Sequence, residues 1–293
     1  MSFISQCCSS VPSIEGNVAI VTVRIACAQL NLPVGDVDGC IEKTCRSIAA
    51  ARDQDVDLVV LPELASCGYP LSSAGEAREC ADQGSACLER WEQAAGGSVT
   101  LVAGFCERSG DDVYNSCALI DRSGVRAIYR KLHLWDREKL LFTPGSAPPP
   151  LIDTSFGRLA MAICYDLEFP ELTRKLALQG ADILALPTAT PYKPRPAGTH
   201  PMAVTLAMAT ARLNGIFMAC GDHSGSERET AFDGGSVIVS NNGWLAAGPV
   251  EDYDEGLVVA DCDLGEARDK KRGERNDLFA DRRPNSTEIA NRA

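Results

Sequence analysis

Residues 158–164 read Arg-Leu-Ala-Met-Ala-Ile-Cys, and residues 165–170 continue Tyr-Asp-Leu-Glu-Phe-Pro. A short apolar strand that stops at a thiol and turns into a helix presents Cys164 as a nucleophile, with backbone N–H groups of the helix available to a developing oxyanion. The attacking species is the thiolate, so such a site needs a proton acceptor and a neighbouring positive charge. Two other apolar runs end on those groups. Residues 57–63, Asp-Leu-Val-Val-Leu-Pro-Glu, close on the carboxylate of Glu63; residues 125–131, Val-Arg-Ala-Ile-Tyr-Arg-Lys, close on the ammonium of Lys131. The chain has 13 cysteines, and free cysteines are mostly small buried hydrophobes. Cys164 stands apart because the active groups of a helix-covered sheet gather at the C-terminal ends of its strands. The structural alternative for Glu63 and Lys131 is an ion pair at a sheet edge.

The elements that must carry these groups follow a βα rhythm. Residues 22–30 alternate as a strand, Pro33 and Gly35 mark a turn, and Asp36 to Asp38 open a helix running to about Arg52. The strand 57–63 leads to a Gly68-Tyr69-Pro70 loop, a polar helical stretch over about 75–93, and a strand over 98–104. Strands 113–120 and 125–131 flank a turn at 121–124, which makes the sheet mixed. Residues 142–150 form a Pro-rich loop inside one domain, because strand–turn–strand patterning resumes at 151 and Cys164 needs partners from before the loop. Beyond Cys164 a helix is signalled by Pro170 in its first turn, Glu171 near its positive end and Gly180 as its stop. A strand over 181–187, a helix from His200 to about Asn214, a strand over 216–220 and an Asn-Gly hairpin at 234–247 complete the pattern. The reading divides the chain into an extension over 1–22, with 18–20 able to pair on a sheet edge, one domain over 23–284, and a tail over 285–293.

At 293 residues and 45% hydrophobic content the chain can bury a full core as one α/β domain. A net charge of −12 argues against sequence-independent binding to nucleic acid. No apolar run approaches the roughly 18 residues that span a bilayer, and the first residues lack the basic segment of a signal peptide. The expected location is the cytoplasm, with no membrane partner. An odd number of scattered cysteines fits reduced thiols. There is no C-x-x-C pair, and His133, His200 and His223 lie far apart, so neither a structural metal nor a cofactor is expected. None of these histidines follows a comparable strand end, which makes a Cys–His dyad the weaker mechanism.

The segments 61–63 (Leu-Pro-Glu), 129–133 (Tyr-Arg-Lys-Leu-His) with Glu138 and 142–145 (Phe-Thr-Pro-Gly), and 164–171 (Cys-Tyr-Asp-Leu-Glu-Phe-Pro-Glu) together resemble the nitrilase superfamily of carbon–nitrogen hydrolases. Weaker similarity lies at 211–215, 232–236 and 282–284, so the resemblance runs from about Arg24 to Pro284 in the family's order. It implies a four-layer α-β-β-α sandwich with two mixed β-sheets, assembled as a homodimer or higher homo-oligomer. It also implies Cys164 as nucleophile, Glu63 as general base, Lys131 as electrophilic stabiliser and Glu138 as the second glutamate. For Glu138 the plain alternative is a surface residue beside Arg137 and Lys139.

In that chemistry Glu63 takes the thiol proton as sulfur attacks an amide carbon, passes it to the departing amine, and then activates water against the thioester. Lys131 and the Tyr165 N–H steady the tetrahedral oxyanion. Cys164-Tyr-Asp resembles amidase-type members more than nitrilases, in which Trp commonly follows the cysteine. Leu167 and Glu168 stand where carbamoylases of D-amino acids resemble an Arg-Arg pair that grips a carboxylate, so a neutral or amine-bearing carboxamide is the expected substrate. Nitriles and N-carbamoyl compounds are the alternatives on the same triad. Tyr69, Tyr165, Thr188 and Ala189 are expected to wall the pocket, with packing as the other role for the two tyrosines. A noncatalytic interaction module with redox-sensing cysteines is the reading from another class; the intact Glu63, Lys131 and Cys164 set argues against it.

Overall fold

The computed structural model describes residues 22–250 and 255–283. The expected extension, apart from Thr22, and the tail over 285–293 lie outside the described residues. In chain order the elements are β1 (Thr22–Leu30), α1 (Val37–Arg52), β2 (Leu58–Val60), α2 (Ala74–Ala81), α3 (Gly84–Ala95), β3 (Thr100–Ser109), β4 (Asp112–Asp121), β5 (Gly124–Arg130), α4 (Glu138–Leu141), β6 (Leu151–Asp153) and β7 (Arg158–Met161). They continue with α5 (Pro170–Leu178), β8 (Ile183–Pro187), α6 (Met202–Asn214), β9 (Phe217–His223), β10 (Ser226–Glu227), β11 (Thr230–Ala231), β12 (Val237–Val239), β13 (Leu245–Ala247) and β14 (Gly256–Asp263).

The period-two alternation of the strands decides the layering. In β1, Val23, Ile25 and Cys27 enter the same core as Leu159 and Met161 of β7, Ile183 of β8 and Phe217 of β9. The alternate residues Ala26, Ala28 and Leu30 pack instead with Ile41 and Ile48 of α1 and Trp91 of α3. On the far side Ala160, Leu184 and Met218 meet Leu176 of α5 and Val204 and Ala211 of α6. Three apolar cores between four layers are the expected α-β-β-α sandwich, and each large aliphatic side chain moved out of water contributes about 1.5–3 kcal/mol to it. No helix among the described residues is long and apolar enough to cross a membrane.

The two sheets are joined. Hydrogen bonding runs β5-β4-β3-β2-β1-β9-β8-β7-β6, and the path doubles back where Gln29 and Leu30 at the end of β1 pair with Asp222 and His223 at the end of β9. Strands β1, β2 and β3 are mutually parallel, as are β7, β8 and β9. Their C-terminal ends therefore face one region, which is where the candidate residues lie.

Three elements depart from the sequence reading. The polar stretch over 75–93 is two helices, because a side chain at Gly84 would lie 2.6 Å from the carbonyl of Cys106, and α3 starts by packing its backbone on β3. The helix expected from His200 starts at Met202, since a residue before proline is pushed out of the helical region and Pro201 becomes the cap. Strand β14 pairs antiparallel with β1 along Thr22–Gln29 although more than 200 residues separate them; it lies at an edge and its burial does not alternate cleanly.

Candidate active site

Glu63 follows β2 through Leu61 and Pro62, in a turn laid directly on β3. A methyl group at Gly104 would lie 2.6 Å from the Cα of Glu63, so this position tolerates only glycine while the turn stays in place. The turn is fixed by its backbone: the Glu63 N–H donates to Thr188 O (3.1 Å), and the His223 ring Nε2 donates to Glu63 O (2.6 Å). The side chain is fully buried, and its Oε1 accepts from Asn115 Nδ2 (2.7 Å) and Lys131 Nζ (2.6 Å).

Lys131 follows β5 directly. Its N–H donates to Asn115 O (2.9 Å) and its carbonyl accepts from Gly145 N–H (2.8 Å), so the 142–150 loop closes over this strand end. The buried ammonium reaches Glu63 and, at 2.8 Å, Glu138 Oε1. Glu138 opens the one-turn helix α4 and is buried, not on the surface. Its Oε1 also accepts from the Tyr69 hydroxyl (2.7 Å), and its Oε2 from the Trp135 N–H (3.1 Å). Tyr69 thus donates a neutral hydroxyl into the charged cluster as well as lining the pocket.

This packing decides where protons rest. Burial pushes the Glu63 carboxyl up to about 7, with Lys131 opposing and Glu138 adding to the rise. Burial alone would depress the Lys131 ammonium, but the two carboxylates outweigh it and hold its pKa above the ordinary lysine range. The Cys164 thiol is pushed well above its ordinary value by burial first, then by Glu63, against the pull of Lys131. A protonated thiol therefore stands near an ammonium and a carboxylate poised around neutrality. Glu63 Oε2 is buried without a hydrogen-bond partner, a condition that costs about 1–3 kcal/mol and leaves one basic oxygen uncommitted.

Cys164 begins a 3₁₀ turn (Cys164–Glu168) with φ +41°, a left-handed conformation uncommon for residues with a side chain. Its thiol faces Ala189 O at 3.8 Å and opens into a cavity of about 670 Å³. All four residues expected to wall the pocket, Tyr69, Tyr165, Thr188 and Ala189, line that cavity, as do Leu167 and Glu168. Tyr165 also packs edge-on against Trp135 and Phe169. Two carboxylates, Glu168 and Asp233, and the cations of Lys193 and Arg195 share the lining and balance in charge, with the imidazole of His200 beside them. Among the described residues, no group of three or more His, Cys, Asp or Glu is arranged to hold a metal ion.

The structure adds residues that the sequence reading did not single out. His223 does end a strand, contrary to expectation, yet its Nε2 is committed to the Glu63 carbonyl and burial lowers its pKa to about 4, so it stays neutral behind the glutamate. Asp222 beside it is raised to about 7 by burial and accepts from Thr190 N–H (2.9 Å) and Oγ1 (2.7 Å), fixing the segment that follows β8 next to Ala189. Asn115 sits mid-strand in β4, where alternation marks it only as buried.

The carbon–nitrogen hydrolase family model matches residues 24–272. The chain belongs to the carbon–nitrogen hydrolase family. This hydrolase is 35% identical to a nitrilase of Pyrococcus abyssi, over 89% of its own length and 97% of the relative's. It is 28% identical to an N-carbamoylputrescine amidase of Solanum tuberosum, over 91% and 92% of the two chains. The crystal structure of an amidase from Nesterenkonia sp. aligns with it at a TM-score of 0.74 and 30% identity, covering 85% of this hydrolase and 93% of that chain. Membership makes the protein an enzyme that hydrolyses carbon–nitrogen bonds. Because the relatives include a nitrilase, an amidase and a carbamoylputrescine amidase, the substrate has to be argued from the cavity.

Proposed function

We propose that this hydrolase converts a small neutral or amine-bearing linear carboxamide to the carboxylate and ammonia through a thioester on Cys164. The observation that carries this reading is the buried Glu63–Lys131–Glu138 cluster with the free oxygen Glu63 Oε2, close to a half-buried thiol that opens on the cavity. Since the thiol rests protonated, attack and deprotonation are coupled: Cys164 sulfur bonds the amide carbon while its proton passes to Glu63. The carbonyl electron pair moves onto oxygen, where Lys131 and the Tyr165 N–H stabilise it. Collapse restores the carbonyl, breaks the C–N bond and expels ammonia with the proton from Glu63. Water then gives a proton to Glu63 as it attacks the thioester, and the thiol leaves reprotonated with the free acid as product. Glu138 keeps Lys131 charged throughout.

The neutral balance of the cavity lining and the apolar Leu167 support an uncharged acyl group; Glu168 supports tolerance of an amine at its far end and works against a carboxylate. The Nesterenkonia amidase was solved with butyramide in one structure and with the acetamide moiety of fluoroacetamide on its active-site cysteine in another, which supports a short aliphatic amide here. Glu168, together with the similarity to N-carbamoylputrescine amidases, supports a second reading in which the amide is an N-carbamoyl amine. Ammonia release from a matched panel of aliphatic and aromatic amides, nitriles and N-carbamoyl compounds, run beside Cys164→Ala, tests both. Turnover of amides that vanishes in the variant is expected. Silence on amides with turnover of nitriles would overturn the substrate, and preference for a carboxylate-bearing amide over its neutral analogue would overturn the part given to Glu168.

A further inference from the structure

Asp166 lies two residues beyond Cys164, is completely buried, and meets only donors. Its Oδ2 accepts from Ile163 N–H (3.0 Å) and the Tyr129 hydroxyl (2.8 Å); its Oδ1 accepts from His133 N–H (3.2 Å) and lies 2.7 Å from His133 Nδ1. An ionised carboxylate is acceptor-only, so this set suits it and requires the Nδ1 of His133 to carry the ring proton. An amide in its place would turn an N–H₂ toward at least one of these donors.

These bonds connect the two reactive segments. Ile163 immediately precedes the nucleophile, and Asp166 returns its own N–H to Ile163 O at 2.9 Å, so two hydrogen bonds close a ring around Cys164 and its left-handed backbone. Tyr129 and His133 flank Lys131 by two residues on either side. The Tyr129 hydroxyl accepts in addition from Leu132 N–H (3.2 Å), and the His133 ring stacks at 3.5 Å on Phe169 at the entry to α5. One carboxylate thereby pins the turn of the nucleophile to the strand end of the ammonium.

We propose that Asp166 is a positioning residue that holds the Cys164 thiol in register with Lys131 through Ile163 on one side and Tyr129 and His133 on the other, and so sets the rate of thiol attack and not the binding of substrate. The proposal rests on the reading of Cys164 as nucleophile. A displacement of about 1 Å at a reacting group lowers a rate on the order of 100-fold even when substrate binding is intact, and among the described residues only Asp166 is hydrogen-bonded by its side chain to both residue 163 and residue 133.

The test compares wild type, Asp166→Asn and Tyr129→Phe in the full chain. Iodoacetamide alkylation of Cys164 is followed by peptide mass, with Cys164→Ala identifying the peptide, beside kcat, KM and thermal melting. For Asp166→Asn, the alkylation rate and kcat are expected to fall about 100-fold with KM within about threefold. Tyr129→Phe removes one donor and leaves the carboxylate in place, so both rates fall about tenfold, the size of one hydrogen bond to a charged group. Wild-type alkylation rates in the variants, or losses of kcat no larger than the loss of folded protein, would overturn the proposal. If Asp166→Asn does not fold, Tyr129→Phe decides by the same two rates. Alkylation needs no substrate, so a wild type that alkylates at Cys164 and hydrolyses no amide refutes the proposed activity while the positioning role is still judged.

Discussion

The floor of the candidate active-site cavity and its mouth are built on opposite plans. At the floor, Glu63, Lys131 and Glu138 are almost entirely excluded from water, and each is placed by backbone hydrogen bonds from a different strand end or turn. At the mouth, residues 192–200 are all exposed and lack regular structure, and their charged groups meet at the rim: Lys193 sits 5.0 Å over the Trp135 ring and Arg195 pairs with Asp233. The difference teaches where function can vary. A charge shifted in the dry floor meets little screening and moves every neighbouring pKa, whereas a charge at the wet mouth changes which molecule enters.

The sharpest way to break this contrast is to remove the cation from the floor. Lys131→Met leaves two carboxylates facing each other without their common partner, and removing one member of a buried pair costs about 3–5 kcal/mol. Activity is expected to fall below detection, with a large loss of stability in urea that is smaller at pH 5 than at pH 8, since protonating one glutamate relieves the repulsion. Unchanged stability at both pH values would mean that water reaches the cluster and that floor and mouth are alike.

Next in size is Gly104→Ala, which adds one methyl group with no charge. It must push back the Cα of Glu63 or the strand beneath it; overpacking of this kind costs about 1–3 kcal/mol, and with Glu63 as the proposed base its displacement is expected to lower kcat on the order of 100-fold. A protein with wild-type kcat would show that the Glu63 turn yields freely. This position also marks how far the sequence could be read. Glu63, Lys131 and Cys164 were legible because each ends an apolar run on a reactive group, whereas the α-β-β-α layers came from the family resemblance. Gly104 was not, because nothing in a strand sequence says which turn lies across it. Asn115 and Asp166 were hidden for the same reason: a buried Asn mid-strand and an Asp in a turn read as ordinary polar residues until tertiary structure supplies Glu63 to one and Tyr129 and His133 to the other. The pairing of β14 with β1 joins segments too far apart for any local pattern to connect.

The acidity of the floor gives an intermediate effect with a definite sign. With its carboxyl raised to about 7, Glu63, the proposed general base, is protonated in mild acid, so kcat/KM is expected to rise as pH increases through about 7. Stability runs the other way: the folded state holds a proton that the unfolded state has released, so stability declines as pH climbs from the ordinary carboxylate range to about 7. The enzyme gains activity over the interval in which it loses this part of its stability. Glu63→Gln should abolish activity and remove this glutamate's share of the stability slope, read in chemical melts across pH, while the share of Asp222, raised to about 7 as well, stays. An activity profile flat between pH 5 and 8 would mean that the glutamate is solvated and its pKa ordinary.

The smallest effect on chemistry is expected at the mouth, and it tests whether specificity can be changed there alone. Arg195 and Asp233, with Pro196, Thr199 and His200, line both the cavity and a neighbouring hollow of about 470 Å³ and so form the partition between them. Arg195→Ala opens this partition but leaves the carboxylate of Asp233, only 6% exposed, without its cation, at a cost of about 1–3 kcal/mol. Arg195→Ala with Asp233→Asn removes both charges and should recover most of that loss. In either variant kcat/KM on a short amide should stay within about threefold of wild type, while longer acyl chains, extending across the former partition at about 0.8 kcal/mol per buried methylene, gain relative to it. A series of linear amides of increasing length measures this as a change of slope. If the short amide instead loses activity as heavily as in Gly104→Ala, the rim is coupled to the floor through the segment from Ala189 to Arg195, and the separation of chemistry from selection fails.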